Sequence, residues 1–197
     1  MTAGRTLVGA PGTLLRHELR LLASIVLWAA RRTHGTREGR PFGYVRGQGA
    51  LLLGLGFVCV VETVGLAVLL RPWPVAHAVM LAVDVYAVLM IVGLHAASVT
   101  RPHVLTPTVL RVRRAAQVDL SIPLERIARV RRDLRTTHER AEGVLDLPVG
   151  AQTSVTLELT EPVTHVPLFG RPRPVGVVRF HTDDADRFVA AMGHAVR

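Results

Sequence analysis

The sequence contains no lysine, so all 24 of its basic residues are arginine. This bias is more typical of a GC-rich genome than of selection for phosphate recognition, although arginine binds phosphate well. The single cysteine, Cys59, excludes an intramolecular disulfide. Aromatic residues make up only 5% of the chain, and few lie among the arginines. Despite the net charge of +9, the composition therefore argues against nucleic-acid binding.

Recognisable catalytic and metal-binding motifs are also missing. His17-Glu18-Leu19 lacks the second histidine of a zinc-protease helix, and the Gly54–Gly56 pair lies inside an apolar run where no nucleotide loop can form. No serine or thiol has a nucleophile motif around it. The acidic stretch 181–186 predicts a helix start capped by Thr182 or Asp183 rather than a metal site. We therefore expect no enzymatic activity, no cofactor and no bound metal.

The chain is 49% hydrophobic, which is higher than usual for a soluble protein, and the excess lies mostly in two long apolar runs, residues 49–70 and 75–96. Each reaches the length of about 20 residues that a bilayer core requires. Pro72 and Pro74 break the helical pattern between them, and the connection is too short for anything but antiparallel neighbours. We expect a transmembrane hairpin over residues 49–98, with spans at about 50–70 and 75–96.

The distribution of arginine predicts the orientation of this hairpin. One arginine, Arg71, lies in the connection, whereas the flanking segments contain Arg31, Arg32, Arg37, Arg40 and Arg46 before the hairpin and Arg101, Arg111, Arg113 and Arg114 after it. Positive charge near membrane ends is retained in the cytoplasm. We expect a multi-pass protein of the cytoplasmic membrane with both termini in the cytoplasm.

For residues 1–48 the sequence predicts a cytoplasmic arm with an amphipathic helix at 14–32, capped by Thr13. Its arginines gather with Ser24 in one sector of the helical wheel, and leucines occupy the other side. Such a helix fits the membrane interface or the surface of the C-terminal domain, and both locations stay open. The glycine-rich stretch 33–48 predicts a loop.

Residues 101–197 alternate apolar and polar side chains, which is the period of half-buried strands. The alternation is clearest at 110–112, 118–122, 155–159 and 175–177. The last segment, 183–196, has helical spacing instead. The expected fold class is an α+β membrane protein: the amphipathic helix, the hairpin, and an antiparallel β domain closed by one α-helix.

Two stretches of this region carry a family resemblance. The run RPHVLTPTVLRVRRAAQVDLSIPLERIARVRR resembles the opening of bacterial PH-like domains, with two strands, an "IPL-x-x-I" segment and a further strand. The ending VGVVRFHTDDADRFVAAM resembles their last strand and closing helix. With the hairpin, the chain is similar to actinobacterial two-pass membrane proteins that have a C-terminal PH-like domain. The resemblance implies a fold and a location, and no activity.

Four polar residues inside the apolar runs are candidate site residues. Glu62 and Asp84 each lie about ten residues from the turn and so share one depth at about 1.5 Å per residue. His77 and His95 lie in the sector of Asp84. The acids can bind a proton or ion within an oligomer, or they can be protonated groups that hydrogen-bond between helices. We favour the second interpretation.

Four arginines are candidates for contact with anionic lipid headgroups: Arg111, Arg113, Arg131 and Arg132. The favoured function is a membrane-anchored PH-like interaction or scaffold module without catalysis. Its expected partners are membrane lipids, a membrane or cytoplasmic protein, and further copies of the chain. The alternative is a component of a small oligomeric proton or ion transporter or channel that uses Glu62 and Asp84.

Overall fold

The computed structural model describes residues 10–36, 39–46, 48–138, 141–167 and 171–195. The first helix, α1, spans Ala10–Ala29, so it begins before the expected start and Thr13 does not precede it. Arg31 follows the helix in the left-handed conformation, with φ 53°. The Arg32 N–H then donates to the Leu27 carbonyl across the helix end. This is the hydrogen-bond pattern with which helices commonly end, here with arginine at the position that glycine usually takes.

The expected hairpin is present as two packed helices, α2 (Gln48–Leu69) and α3 (Pro74–Thr100). Both are long and apolar enough to cross a membrane, and their apolar windows are not buried within the protein. The 27 residues of α3 extend over about 40 Å, which exceeds the hydrocarbon thickness of about 30 Å. Only the last part of α3 is buried, at Gly93, Ala96, Ala97, Ser98 and Thr100.

The buried end of α3 packs against α1. Leu21 of α1 meets Gly93, and a Cβ atom added at that glycine would lie 3.2 Å from the Leu21 Cβ. Leu21 also forms an apolar cluster with Ala97, Ala115 and Ala116. The hydroxyl of Ser24 donates to the Arg20 carbonyl in a fully buried position. The predicted polar sector of α1 is therefore wrong at Ser24, because tertiary packing encloses it.

The first of two four-stranded sheets is antiparallel throughout, in the order β1-β2-β3-β4. Its strands are β1 (Arg40–Phe42), β2 (His103–Leu105), β3 (Val109–Arg114) and β4 (Val118–Pro123). The loop predicted for 33–48 is wrong at β1, which pairs with β2 across the entire hairpin. Three residues give too short a pattern to be recognised from sequence.

The second sheet has the order β5-β7-β8-β6. Its strands are β5 (Ile127–Arg135), β6 (Val144–Leu147), β7 (Thr153–His165) and β8 (Arg173–Phe180). The expected antiparallel arrangement is wrong for one pair, because β6 and β8 are parallel. The closing helix α4 (Ala185–Ala195) is capped by Asp184, whose carboxylate accepts the Arg187 N–H, and not by Thr182 or Asp183.

The two sheets and α4 enclose one hydrophobic core, to which β1 contributes a side chain. Phe42 of β1 packs edge to face on Phe188 of α4, with ring centroids 5.0 Å apart. Asp183 binds the same arm: its N–H donates to the Gly43 carbonyl, and its carboxylate accepts the Arg46 N–H. The core of the C-terminal region thus includes residues from the arm that precedes the hairpin.

His103 on β2 is fully buried between the rings of Tyr44 and Phe180. Its Nδ1 accepts the Arg113 N–H at 3.0 Å, so Nε2 carries the proton and donates to the His181 carbonyl at 2.9 Å. Burial lowers the pKa of His103 to about 4. The imidazole is therefore neutral in the folded protein at physiological pH.

The pKa of His103 predicts a loss of stability in mild acid. The folded state binds fewer protons than the unfolded state between the unfolded pKa of about 6.5 and the folded pKa of about 4. Lowering the pH from 7 to 5 should therefore reduce the free energy of unfolding by about 2 kcal/mol through this residue. Urea unfolding in detergent micelles, followed by circular dichroism at several pH values, measures the change.

The His103→Gln variant is the control for this effect, because it removes the titrating group. The variant should be less stable at pH 7, and its stability should depend less steeply on pH over the same window. An unchanged pH dependence would show that His103 does not titrate on unfolding.

Candidate functional site

The polar residues of the hairpin do not form one group. Asp84 and His77 line a narrow cleft between α2 and α3, together with Thr63 and Met80. This cleft has no room for a water molecule between its described side chains. Glu62 is not among the lining residues, and its side chain is exposed. Within one chain the two carboxyl groups therefore face different surroundings, and their shared depth in a membrane stays a prediction.

The two histidines of the predicted stripe are also separated. His77 lies in the cleft with Asp84, whereas His95 contacts α1 through an edge-to-face contact with Trp28, at a centroid distance of 5.5 Å. The Nδ1 atom of His95 is buried and has no hydrogen-bond partner among the described residues. The hairpin therefore contains two polar positions near different neighbours rather than a continuous polar path.

The four arginines predicted to contact lipid lie on two sheets, and each of them pairs with a carboxylate. Arg111 binds Asp119 at 2.9 Å on the first sheet. Arg131 lies 3.6 Å from Glu158, and Arg132 binds Asp186 at 2.9 Å, both on the second sheet side. Lipid contact by these residues stays a prediction. The fourth residue, Arg113, is in a different situation because its side chain is only 2% exposed.

Arg113 lies in a cavity of about 330 Å³ where α1, the end of α3 and the first sheet meet. We call it the junction cavity. Its lining residues are Arg20 of α1, His34 from the segment after α1, Arg101 directly after α3, Arg113 of β3, Asp119 of β4, and the apolar residues Ala115, Ala116 and Val118. Three arginines that are far apart in the sequence thus line one space.

The guanidinium of Arg113 is held on two of its three nitrogen atoms. Its Nε donates to Asp119 at 3.3 Å, and its Nη1 donates to the His34 carbonyl at 2.9 Å. Its Nη2 is buried and has no partner among the described residues. The Nε of Arg101 is likewise buried without a partner in the described part of the chain. Two buried cationic donors therefore remain unsatisfied beside the junction cavity.

The electrostatic field in the junction cavity is positive. Burial lowers the pKa of Arg101, and the guanidinium groups of Arg20 and Arg113 lower it further. Burial also lowers the pKa of His34, with Arg101 and Arg113 as the next largest causes. His34 is therefore neutral at physiological pH, and the arginines provide the charge.

The backbone around the junction cavity is shaped for close approach. Gly35 has φ +66°, and a Cβ atom there would lie 2.9 Å from the Arg113 Nη2. Ala115, in the turn between β3 and β4, has a left-handed φ of 46°. Its N–H donates to the buried Tyr44 hydroxyl at 2.7 Å, which holds the turn to the arm that follows β1, while Ala115 itself packs with Leu21 and Ala97.

Three of the cavity residues, Arg20, His34 and Arg101, were not candidate site residues in the sequence. Arg101 appeared only as one of the charges that orient the hairpin, and Arg20 only as part of a helix face. No local pattern connects them, because their proximity depends on how α1 packs on α3. The only local signal for a site was the His34-Gly35 pair, which lies in a stretch predicted to be a loop.

Comparison with known proteins gives no relative: no protein-family model, no curated protein and no solved structure matches the chain. The geometry of the described residues is therefore the basis for any functional conclusion.

The separate surroundings of Glu62 and Asp84 predict different responses to substitution. Asp84→Leu places a larger side chain in a cleft without spare room, so it should destabilise the hairpin by about 1–3 kcal/mol. Glu62→Leu changes an exposed position and should leave the melting temperature of the solubilised chain nearly unchanged. Thermal unfolding in detergent micelles compares the two variants, and an equal loss at both positions would contradict the placement of Glu62.

The transporter alternative is tested with the double variant Glu62→Gln, Asp84→Asn. Amides keep hydrogen-bonding capacity and remove titration, so hydrogen-bonding carboxyls should tolerate them. A pH-dependent ion flux in proteoliposomes that the wild type shows and this variant lacks would favour a transporter.

Proposed function

We propose that the protein is a membrane-anchored interaction module without catalytic activity. In this proposal α2 and α3 cross the cytoplasmic membrane, and the two sheets with α4 lie at its inner face. The partners are lipids of that membrane together with a membrane or cytoplasmic protein. The proposal extends the architecture, in which two long apolar helices precede a β-rich region closed by a helix.

The exposed surface of the hairpin supports a membrane location. Large apolar side chains cover α2 and the first part of α3, and examples such as Leu53 and Val75 are about three-quarters exposed, at 74% and 77%. Burying one such side chain fully stabilises a protein by about 1.5–3 kcal/mol. A hairpin surrounded by water would lack this stabilisation at each of its many exposed apolar side chains. Lipid chains would cover the whole surface at once.

The continuity of α3 is the observation that carries the proposal. The helix runs from the apolar turn at Pro74 to Thr100, and β2 begins at His103. Its buried end is enclosed by α1 and by the turn between β3 and β4. The His34 N–H donates to the Thr100 carbonyl, which fixes the chain after α1 to the same helix end. The β-rich region is therefore packed on the hairpin and not tethered by a linker.

The outer face of α1 supports a position at the membrane interface. Leu15, Leu19, Leu22 and Val26 follow helical spacing and are exposed, and Val26 is the most exposed of them at 69%. The opposite face of the helix contacts α3 through Leu21 and Ser24. In the proposed arrangement this apolar face lies in the boundary between headgroups and acyl chains, beside the hairpin.

The PH-like character of the β-rich region is part of the proposal. The expected order of two strands, an Ile-Pro-Leu segment and a further strand corresponds to β3, β4, Leu124 and β5. The last strand and closing helix correspond to β8 and α4. The parallel pairing of β6 with β8 departs from an all-antiparallel domain.

The proposal predicts integral membrane behaviour with a defined orientation. The chain should stay in membranes washed with alkaline carbonate or high salt, because a hairpin is not released by screening of charge. Reporter domains fused after residue 197 or inserted after Ala30 should report the cytoplasm, and an insertion at Trp73 should report the outside.

Two outcomes would contradict this prediction. Release of the chain by salt would indicate peripheral attachment through its basic residues. A cytoplasmic signal from the Trp73 insertion would show that the hairpin does not cross the membrane.

Gly93 tests whether the β-rich region and α1 are fixed to α3. Gly93→Leu should displace Leu21 and destabilise the protein by about 1–3 kcal/mol, since the site has no space for a side chain. The separated α1 should also expose the Arg31-Arg32 bond to an arginine-specific protease. Melting temperature and cleavage rate measure the two effects.

Gly54→Leu is the matched control, because a Cβ atom at Gly54 meets nothing within 4 Å. Both variants gain the same helix propensity, about 1 kcal/mol relative to glycine, so their difference isolates the packing of α1 on α3. Equal stability of the two variants would contradict that packing.

A further inference from the structure

We infer that the junction cavity binds a phosphate group, with Arg101, Arg113 and Arg20 as its cationic ligands. This inference deepens the proposed function by naming the ligand class of the β-rich region at the membrane. It depends on the proposed function only for the source of the phosphate, which is a lipid headgroup in the membrane-anchored arrangement.

The burial of Arg113 is the first observation. An arginine keeps its charge in any environment that a protein offers, and a buried donor without a partner costs about 1–3 kcal/mol, or more when it is charged. Arg113 is only 2% exposed, and its Nη2 is buried against Gly35 without a partner among the described residues. An anion in the junction cavity would lie beside this guanidinium group, which is part of the cavity lining.

The convergence of charge is the second observation. Arg20, Arg101 and Arg113 come from α1, the end of α3 and β3, and the charges of Arg20 and Arg113 both lower the pKa of Arg101. Asp119 is the one acid among the described lining residues, and it also binds Arg111 at 2.9 Å. One shared carboxylate does not neutralise three guanidinium groups. The missing counterion is an anion with several acceptor oxygens.

The chemistry of the donors favours phosphate. Guanidinium groups present paired N–H donors that match the oxygen atoms of phosphate, and three such groups line this cavity. The volume of about 330 Å³ is at the lower end of the range for small-ligand sites, about 300–1,000 Å³, and it suits a headgroup or a small phosphate ester.

The depth of the junction cavity favours a lipid as the source. About 20 residues of α3, counted from Pro74, cross the hydrocarbon and end near Gly93. Arg101 lies about 12 Å further along the helix direction, at the outer edge of the headgroup region on the cytoplasmic side. A phosphate ester dissolved in the cytoplasm is the other source with the same chemistry.

The test uses the full chain, purified in a detergent without phosphate and stripped of lipid. One arm titrates inorganic phosphate and follows both the melting temperature and the ³¹P line width. The other arm adds phosphatidylglycerol and, separately, an uncharged diacylglycerol, and measures retained lipid by native mass spectrometry. The variants are Arg101→Gln, Arg20→Gln and the charge-preserving Arg101→Lys.

The control is Arg126→Gln, which removes one positive charge from a partly exposed ion pair with Glu161, outside the junction cavity. We expect Arg101→Gln and Arg20→Gln to weaken phosphate binding by about tenfold or more, and Arg126→Gln to leave it unchanged. The phosphate affinity of Arg101→Lys should lie between those of the wild type and Arg101→Gln, because lysine keeps the charge and loses the paired donors. Substitution of Arg113 is avoided, since its burial makes misfolding the expected result.

Retention of phosphatidylglycerol over diacylglycerol, lost in Arg101→Gln, would identify the lipid headgroup as the ligand. Binding of inorganic phosphate without lipid retention would identify a soluble phosphate. The inference is overturned if neither arm shows binding by the wild type, or if Arg126→Gln weakens binding as much as Arg101→Gln does. The binding assay is done in detergent and does not depend on membrane insertion. Absence of phosphate binding would therefore leave the proposed membrane anchoring standing, and release of the chain from washed membranes would leave phosphate binding standing.

Discussion

The close contact of α1 with α3 at Gly93 is the constraint on which the rest of the structure depends. It places Leu21 against the helix that continues directly into the first sheet. It brings the segment after α1 to the end of α3, where the His34 N–H binds the Thr100 carbonyl. From there the chain reaches β1, whose Phe42 completes the core. The hairpin, α1 and the β-rich region thus form one packed unit around the last two turns of α3.

This packing has an electrostatic consequence. Bringing α1 to the end of α3 also brings Arg20 to Arg101, and the segment at His34 covers the side chain of Arg113. Most surface arginines of the β-rich region have a carboxylate beside them, as Arg111, Arg132 and Arg135 do. The junction cavity is different because it concentrates three guanidinium groups around a single shared acid. An anion among these like charges would offset their mutual repulsion, and the cavity has space for one.

Much of the architecture could be predicted from local pattern. The apolar runs gave α2 and α3 to within a few residues, and alternation gave β3, β4, part of β7 and β8. The pattern could not predict β1, because three residues are too few to show an alternation of apolar and polar side chains. It could not give the parallel pairing of β6 and β8, since alternation is the same for either direction. It placed Arg111 and Arg113 on one strand face, but Arg113 is buried because residues 34 and 35, about 79 positions earlier, cover it.

The sequence by itself determined which segments are apolar throughout, apolar on one side, or polar, and therefore where two long helices, an amphipathic helix and the main strands occur. These properties are local, because the spacing of apolar residues within one segment depends only on which of its faces is buried. Only the tertiary structure decided that α1 packs on α3, that β1 joins a sheet beyond the hairpin, and that Arg20, Arg101 and Arg113 line one cavity. Those features depend on contacts between residues that are about 60 to 90 positions apart, and no period within either segment records them.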